Sequence, residues 1–352
     1  MKTISLCMII KNEELVLERC LSSVKDFVDE IIIVDTGSTD NSINIAKKFT
    51  NNIYPFKWCN DFSKARNYAS SLATGDYLMW LDADDIVPPK TAKIIKELKN
   101  SLIADVYMLK YDIAFSGTKP TFSYYRERII KNCTEAFWHG VVHECITPFG
   151  KVERLDCSIW HKKEKMGHSN RNLKIYENII KTRALSPREQ YYYGRELYDH
   201  KKYKKCIKIL ECFVNSKEGW EENIIDALYL ISICYKNLNN IQKFLNALFS
   251  TFIYDTPRAN VCCEIGDYFI LNKQYRKAIY WYTEATKCKD VTHNGGFVQN
   301  IYYNYYPYLQ LCCCHYYLGN IEIAKKYNNK AGKYFTSEII KNNKIFFENI
   351  NK

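Results

Sequence analysis

Nine residues constrain the fold of this chain more than any others. Tyr77-Leu78-Met79-Trp80-Leu81 is an apolar run that stops abruptly at Asp82, Asp84 and Asp85. A short apolar run of this kind reads as a buried strand. The carboxyl end of such a strand is where an open α/β sheet places its ligands. Carboxylates clustered there repel one another unless something positive sits among them. A divalent cation carrying phosphate oxygens meets that demand.

The residues before this stretch read as a βαβ unit. Ile4 to Ile10 predicts a first strand, and Asn12 is placed to cap a helix that starts at Glu13, with Leu15, Leu17, Cys20, Leu21 and Val24 as its apolar positions. Ile31-Ile32-Ile33-Val34 is a β-branched run, hence a buried strand, and it ends in a polar turn, Asp35 to Asp40. A helix over residues 42–49 follows. Strand, helix, strand and helix in this order imply a parallel sheet. Residues 53–56 predict a short third strand, and residues 61–69 a loop entering a helix that ends near Gly75. Pro88-Pro89 opens a helix to about Lys99, with proline at the permitted first turn. Residues 104–130 alternate in places and predict antiparallel strands joined by a turn over residues 115–120.

At 352 residues the chain is long enough for two domains, and we expect them at 1–180 and 181–352. A composition of 47% hydrophobic and 25% charged residues is that of a folded soluble protein. No apolar stretch approaches the ~20 residues that span a bilayer, so no transmembrane segment is expected. The first ten residues run straight into Lys11-Asn12-Glu13-Glu14 without a small-residue cleavage site, which favours a strand over a signal peptide. Fifteen cysteines, an odd count with no CxxC pair, exclude a secreted disulfide framework and a structural zinc site. Buried, reduced cysteines in a cytoplasmic protein is the expectation. The net charge of +11 favours anionic partners, but the lysines form no long basic block, and no nucleic-acid role is expected.

The second half carries an internal repeat. Gly194 precedes Cys206 by twelve residues, Gly266 precedes Ala278 by twelve, and Cys312 precedes Ala324 by twelve. Tyr203, Tyr275 and Ile321 fall at matching places between them, and Ala285 and Ala331 follow the last two. Ser232 and Phe244 keep the spacing without the small-residue preference. Small residues at these points let paired helices approach, which is the tetratricopeptide pattern. Residues 290–299 insert into the later register. Repeats of this kind stack into a superhelix with a concave face. The 29 tyrosines of the chain suit a peptide groove and suit ordinary helix packing equally.

Four segments in order, MIIKNEE, IIIVDTGSTDNS, DFSKARN and YLMWLDADD, resemble family-2 glycosyltransferases of the GT-A fold over the first 180 residues or so. FWHGVVHE, then SIWHKKEKMGHSNRNLKIYENII, then the helical array resemble a bacterial subset that includes the S-glycosyltransferases of glycosylated bacteriocins of the sublancin type. The resemblance implies an α/β GT-A domain, with a Rossmann-like nucleotide-sugar-binding sheet, followed by an all-α tetratricopeptide-like domain. It implies displacement of a nucleoside diphosphate from a sugar, with Mn²⁺ or Mg²⁺ stabilising the leaving group and a UDP-sugar as donor.

Under that resemblance each motif residue acquires an expected role. Asp84 sits directly on the metal, Asp82 lies towards the ribose and the metal's waters, and Asp85 serves either. Asp35 hydrogen-bonds the nucleobase, with an Asx-turn as the competing role. Asp61, Lys64 and Arg66 border the base or the diphosphate. Arg66 is the best of them, because a guanidinium binds phosphate or stacks on a base; for Lys64 a helix-surface salt bridge competes. Trp138 offers a face to sugar or acceptor, or is a core tryptophan. His143 and Glu144 are the candidates for proton chemistry, and Glu144 is the preferred base for deprotonating the acceptor. His161, after Ser158-Ile159-Trp160, completes the metal shell. The loop 162–170, with Lys162, Lys163, Lys165 and His168, would close over the diphosphate or is simply a solvated basic loop.

The expected partners are a nucleotide sugar and an acceptor peptide or protein, with a homodimer through the repeats. A transferase acting on saccharide or lipid, and an inactive scaffold whose repeats bind a protein, are the competing readings.

Overall fold

The computed structural model describes residues 1–350 apart from 118, 165–169, 290, 292–295, 297 and 336. The chain divides into two compact units, Met1–Leu185 and Ser186–Lys352.

The first unit is built on parallel strands β1 (Ile4–Ile10), β2 (Glu30–Asp35), β3 (Ile53–Pro55) and β4 (Tyr77–Trp80). Their connecting helices are α1 (Leu17–Ser22), α2 (Ser42–Ala46) and α3 (Phe62–Ser71). After β4 come β5 (Asp85–Ile86), α4 (Pro89–Leu98), β6 (Val106–Ser116) and β7 (Lys119–Lys131). A small ribbon of β8 (Trp138–His139) and β9 (Cys145–Ile146), then β10 (Val152–His161) and α5 (Arg171–Ile179), complete it. Among the described residues the main sheet has eight strands in the order β3-β2-β1-β4-β7-β6-β10-β5.

Three features of this sheet place the site. First, β1 is parallel to both β2 and β4: the chain runs from β1 out through β2 and β3 on one side and returns to β4 on the other. The crevice outside those carboxyl ends is the switch point at which such sheets bind ligands. Second, β7 joins antiparallel to β4, and the β6–β7 hairpin carries the sheet onward. Third, β10 returns parallel to β6 and pairs with the two residues of β5, setting His161 directly opposite Asp85. A mixed sheet of this order is of the GT-A type.

Side chains alternate across the sheet. One face buries Leu6, Met8, Ile33 and Met79 against Leu17 and Leu21 of α1 and Ile95 of α4. The other buries Cys7, Ile32, Val34, Leu78 and Trp80 against Ala69 of α3 and against Trp138. Both faces are covered, which is why β1, β2 and β4 read as unbroken apolar runs. Each such side chain contributes about 1.5–3 kcal/mol of burial.

Asn12 departs from its expected role. Its φ is +55°, its side-chain oxygen accepts the Thr39 N–H (2.7 Å), and its own N–H donates to Ser38 Oγ (3.0 Å). It ties the end of β1 to the loop after β2, and α1 begins only at Leu17. The helix after β2 is also shorter than its apolar spacing predicts, ending at Ala46.

The second unit is helical: α6 (Pro187–Asp199), α7 (Tyr203–Ser216), α8 (Glu221–Asn237), α9 (Ile241–Ser250), α10 (Ala259–Leu271), α11 (Tyr275–Ala285), α12 (Tyr305–Tyr317), α13 (Ile321–Tyr334) and α14 (Glu338–Ile350). Short turns at 200–202, 238–240, 272–274 and 318–320 join them in consecutive pairs. A capping box between Ser186 and Glu189 starts the first helix. The residues of the twelve-residue spacing are its contact points: Cys206, Ser232, Ala278 and Ala324 are fully buried. A Cβ on Gly194 would lie 2.2 Å from Leu210 Cδ2, and one on Gly266 2.7 Å from the Tyr282 ring, so glycine is what lets each pair close. Most of the insertion expected at 290–299 lies outside the described residues.

All fifteen cysteines are unbridged; Cys59 and Cys212 are exposed and nine others are buried. Among the described residues no helix is long and apolar enough to cross a membrane.

Candidate active site

A cavity of about 420 Å³ opens over the carboxyl ends of β1, β2 and β4. Ile10, Thr36, Trp80, Asp82, Asp84 and His161 line it, as do Arg66, His143 and Glu144. Lys11, Trp58, Phe62, Lys163 and Arg171 also reach it.

The three aspartates after β4 have three different environments. Asp82 accepts from Arg66 Nη2 (2.7 Å) with its side chain about a third exposed. Burial would raise its pKa, but Arg66 and then Arg128 outweigh that and hold it at about 2. Asp84 has a side chain 23% exposed and lies 3.3 Å from His161 Nδ1. Burial raises its pKa, the charges of Asp82 and Asp85 add to that, and His161 opposes them. Asp85 is fully buried. It accepts from Tyr111 Oη (2.7 Å), Arg128 Nη1 (3.1 Å) and the Asp82 N–H (3.0 Å), and lies 3.2 Å from His161 Nδ1. His161, at the end of β10, has its pKa raised: desolvation pulls it down, but the hydrogen bond to Asp85 and the charges of Asp84, Asp85 and Asp82 outweigh burial.

Arg66 is held by its surroundings on every side. It sits on α3, 7% exposed, with its guanidinium 5.0 Å from the Trp80 ring centroid and 4.8 Å from that of Trp138. Its Nε donates to Glu144 Oε1 (2.6 Å) and its Nη2 to Asp82. Desolvation works against the charge, yet Glu144 and Asp82 push its pKa further up. Among the described residues Nη1 is buried without a hydrogen-bond partner, and Arg66 lines the cavity. A buried N–H left unmade is costly.

Glu144 lines the cavity at the end of a tight turn, with Gly140 at φ +96° and His143 at φ +54°. Its side chain is 11% exposed and paired with Arg66. His143 is exposed at the cavity wall.

Four expected positions lie apart from the cavity. Trp138 is 2% exposed and packs edge-on against Trp80 at 5.1 Å, so it is a core tryptophan that offers no face to a ligand. Asp61 caps α3, accepting the Lys64 N–H (3.1 Å) and the Ser63 hydroxyl (2.7 Å). Lys64 Nζ points back to Asp61 at 3.7 Å with its side chain 69% exposed. Asp35 accepts the Gly37 and Ser38 N–H groups at 3.1 Å, the Asx-turn geometry, and borders a separate recess with Ile43, Lys47 and Pro55. Of the basic loop, Lys162 stacks its ammonium 3.3 Å from the Phe115 centroid and Lys163 lines the cavity. Lys165 and His168 lie outside the described residues.

Tyr111, Arg126 and Arg128 are the residues that motif reading misses. Arg126 and Arg128 both stack on Trp80, at 4.8 and 3.7 Å, and Arg128 is fully buried. Arg126 also donates to the Glu144 carbonyl (3.2 Å). An arginine pair inside an alternating apolar strand, as in Arg126-Glu127-Arg128-Ile129-Ile130, signals buried acidic partners.

Asp84, Asp85 and His161 present ligand atoms within 4.8 Å of one another. Two carboxylates and an imidazole suit Mn²⁺ or Mg²⁺. The desolvated, mutually repelling carboxylates leave a charge deficit that such an ion removes. Asp84 and His161 reach the cavity; Asp85 lies behind them.

Residues 5–152, all within the first unit, match the family model described as Glycosyl transferase family 2. Over 262 residues, 68% of this chain and 60% of the relative, the chain is 28% identical to the SPbeta prophage-derived glycosyltransferase SunS of Bacillus subtilis. Over 85 residues, 24% of this chain and 21% of the relative, it is 49% identical to a TPR repeat-containing protein of Synechococcus elongatus. The chain thus spans about 60% or less of the length of these relatives. Among solved structures, S. aureus TarS 1-349 in complex with UDP-GlcNAc aligns over 69% of this chain and 89% of that one, at 15% identity and a TM-score of 0.42.

Proposed function

We propose that this protein is a metal-dependent, inverting glycosyltransferase that moves a sugar from a UDP-sugar to a cysteine, serine or threonine side chain of a peptide or protein. The observation that carries the reading is one cavity lined by Asp84, His161, Arg66 and Glu144, most of whose residues fall in the stretch 5–152 that matches the family-2 model. Departure of a nucleoside diphosphate builds negative charge. A divalent ion held by Asp84 and His161 supplies the counter-charge when bound. Arg66, at the cavity wall, adds a fixed cation. Asp82 lies beside Arg66 and orders the donor.

Glu144 is the base that takes the acceptor's proton, with His143 beside it. Arg66 aims this carboxylate through the 2.6 Å bond to Nε. A thiol acceptor asks less of that base, because a cysteine thiol ionises near pH 8.5. The domain boundaries for this reading are 1–180 for transfer and 181–352 for the repeats. The repeats recognise the acceptor and pair two copies of the chain. Unbridged cysteines suit a cytoplasmic setting.

The test is a donor screen. Purified protein with Mn²⁺, a panel of UDP-sugars, and peptides presenting cysteine or serine and threonine are analysed by mass spectrometry. A hexose or N-acetylhexosamine increment on a peptide is the expected result. No increment and no UDP release with any donor overturns the reading.

A further inference from the structure

We infer that Asp85 is not a ligand of the metal but the residue that positions one, locking His161 with Nδ1 protonated through a buried Tyr111–Asp85 pair. The inference rests on the metal-dependent reading above and assigns its parts within the chain.

An ionised carboxylate offers about four acceptor sites. Asp85 Oδ1 takes the Tyr111 hydroxyl at 2.7 Å and faces His161 Nδ1 at 3.2 Å. Asp85 Oδ2 takes Arg128 Nη1 at 3.1 Å and the Asp82 N–H at 3.0 Å. All four sites are used, and the side chain has no exposed surface. To bind a cation, Asp85 would have to give up the fully buried Arg128, and an uncompensated buried charge is among the costliest defects in a protein. Asp84 has only its Oδ1 within 3.3 Å of His161 Nδ1 among these groups, is 23% exposed, and lines the cavity.

Proton counting then fixes the histidine. Tyr111 has one hydroxyl proton, and it goes to Asp85. His161 Nδ1 faces Tyr111 Oη at 2.8 Å, Asp85 Oδ1 at 3.2 Å and Asp84 Oδ1 at 3.3 Å. With the tyrosine's proton spent and the carboxylate carrying none, the contact is attractive only if Nδ1 holds the proton. The lone pair of the neutral ring is then on Nε2. Metal-binding histidines are generally oriented this way, by a carboxylate on the far nitrogen. The pairing of β5 with β10 supplies the register, since it sets His161 opposite Asp85. Two residues of β5 therefore have a purpose: they carry Asp85 beneath the histidine while Asp84 stays at the cavity.

Two measurements test this, one without metal. Protein labelled with ¹⁵N-histidine is examined by long-range ¹H–¹⁵N correlation well above the histidine pKa range, with His161→Asn assigning the signal. The Nδ1–H pattern is expected, and an Nε2–H pattern overturns the inference. Mn²⁺ affinity is then read from the free-ion electron paramagnetic resonance signal. Tyr111→Phe, which keeps the ring packing, should weaken Mn²⁺ about tenfold, and Asp85→Asn about 10–100-fold; Asp84→Asn should abolish binding. If Tyr111→Phe leaves affinity unchanged or tightens it, Asp85 is a ligand and the inference fails. Wild-type protein that binds no Mn²⁺ refutes the metal-dependent reading itself, and the tautomer measurement still judges the Asp85–His161 pair.

Discussion

Replacing Arg66 with methionine removes the cation between Asp82 and Glu144 while filling most of its volume. Its size can be worked from the structure. Asp82 is held at about 2 from a reference of 3.8. At 1.36 kcal/mol per pKa unit that is about 2.4 kcal/mol, and a side chain a third exposed reduces it to ~1–2 kcal/mol. Glu144 is 11% exposed and keeps a buried charge with its partner gone, so the whole loss should reach ~3–5 kcal/mol.

The pH dependence gives the sharper reading. A depressed carboxylate pKa contributes stability above its unfolded value and loses it as pH falls through the folded one. Asp82's share is therefore full above about pH 5, and most of it is gone by about pH 2. Urea unfolding followed by tryptophan fluorescence should show the variant's deficit shrinking by ~1–2 kcal/mol between pH 7 and pH 2.5. A deficit below ~1 kcal/mol at pH 7, or one that does not change with pH, refutes the pairing argument.

Two other outcomes follow from the same geometry. Mn²⁺ must displace a proton from His161, whose pKa is raised, so affinity should tighten as pH rises through that value, up to about tenfold per pH unit, and level off above it. Titration by electron paramagnetic resonance reads this, and His161→Asn should flatten the slope. In the helical unit, Gly194→Ala places a methyl 2.2 Å from Leu210 Cδ2. Overpacking should outweigh the gain in helix propensity and cost ~1–2 kcal/mol in thermal unfolding, with UDP binding unchanged; a stabilised variant contradicts the account of that helix pair.

Much of the first unit was legible because its strands are buried on both faces. Ile31-Ile32-Ile33-Val34 and Tyr77-Leu78-Met79-Trp80 leave no other reading, and proline at the start of α4 marks that helix. The repeat spacing in the second half worked for a related reason, since close helix approach permits little else at Gly194 or Ala278. Asn12 does not cap a helix, because the local capping pattern loses to a long-range bond with the Thr39 backbone. Trp138 belongs to the core because Arg66 and Trp80 claim its ring, and that packing joins residues far apart in sequence. Asp82 and Asp85 look equivalent in LDADD. What separates them is Arg128 and Tyr111, on β7 and β6, which donate hydrogen bonds to Asp85 and, among the described residues, none to Asp82. Spacing along one strand end carries no information about what the neighbouring strands bring to it.

The central claim is that Asp84 holds a metal which in turn holds a nucleotide. Calorimetry with UDP and Mn²⁺ tests it most directly, on the wild type and on Asp84→Ala. The account predicts UDP binding that requires Mn²⁺ and is lost in the variant, with the variant's far-ultraviolet circular dichroism and melting transition retained. Metal-independent UDP binding, or binding of equal strength in the folded Asp84→Ala protein, would contradict it.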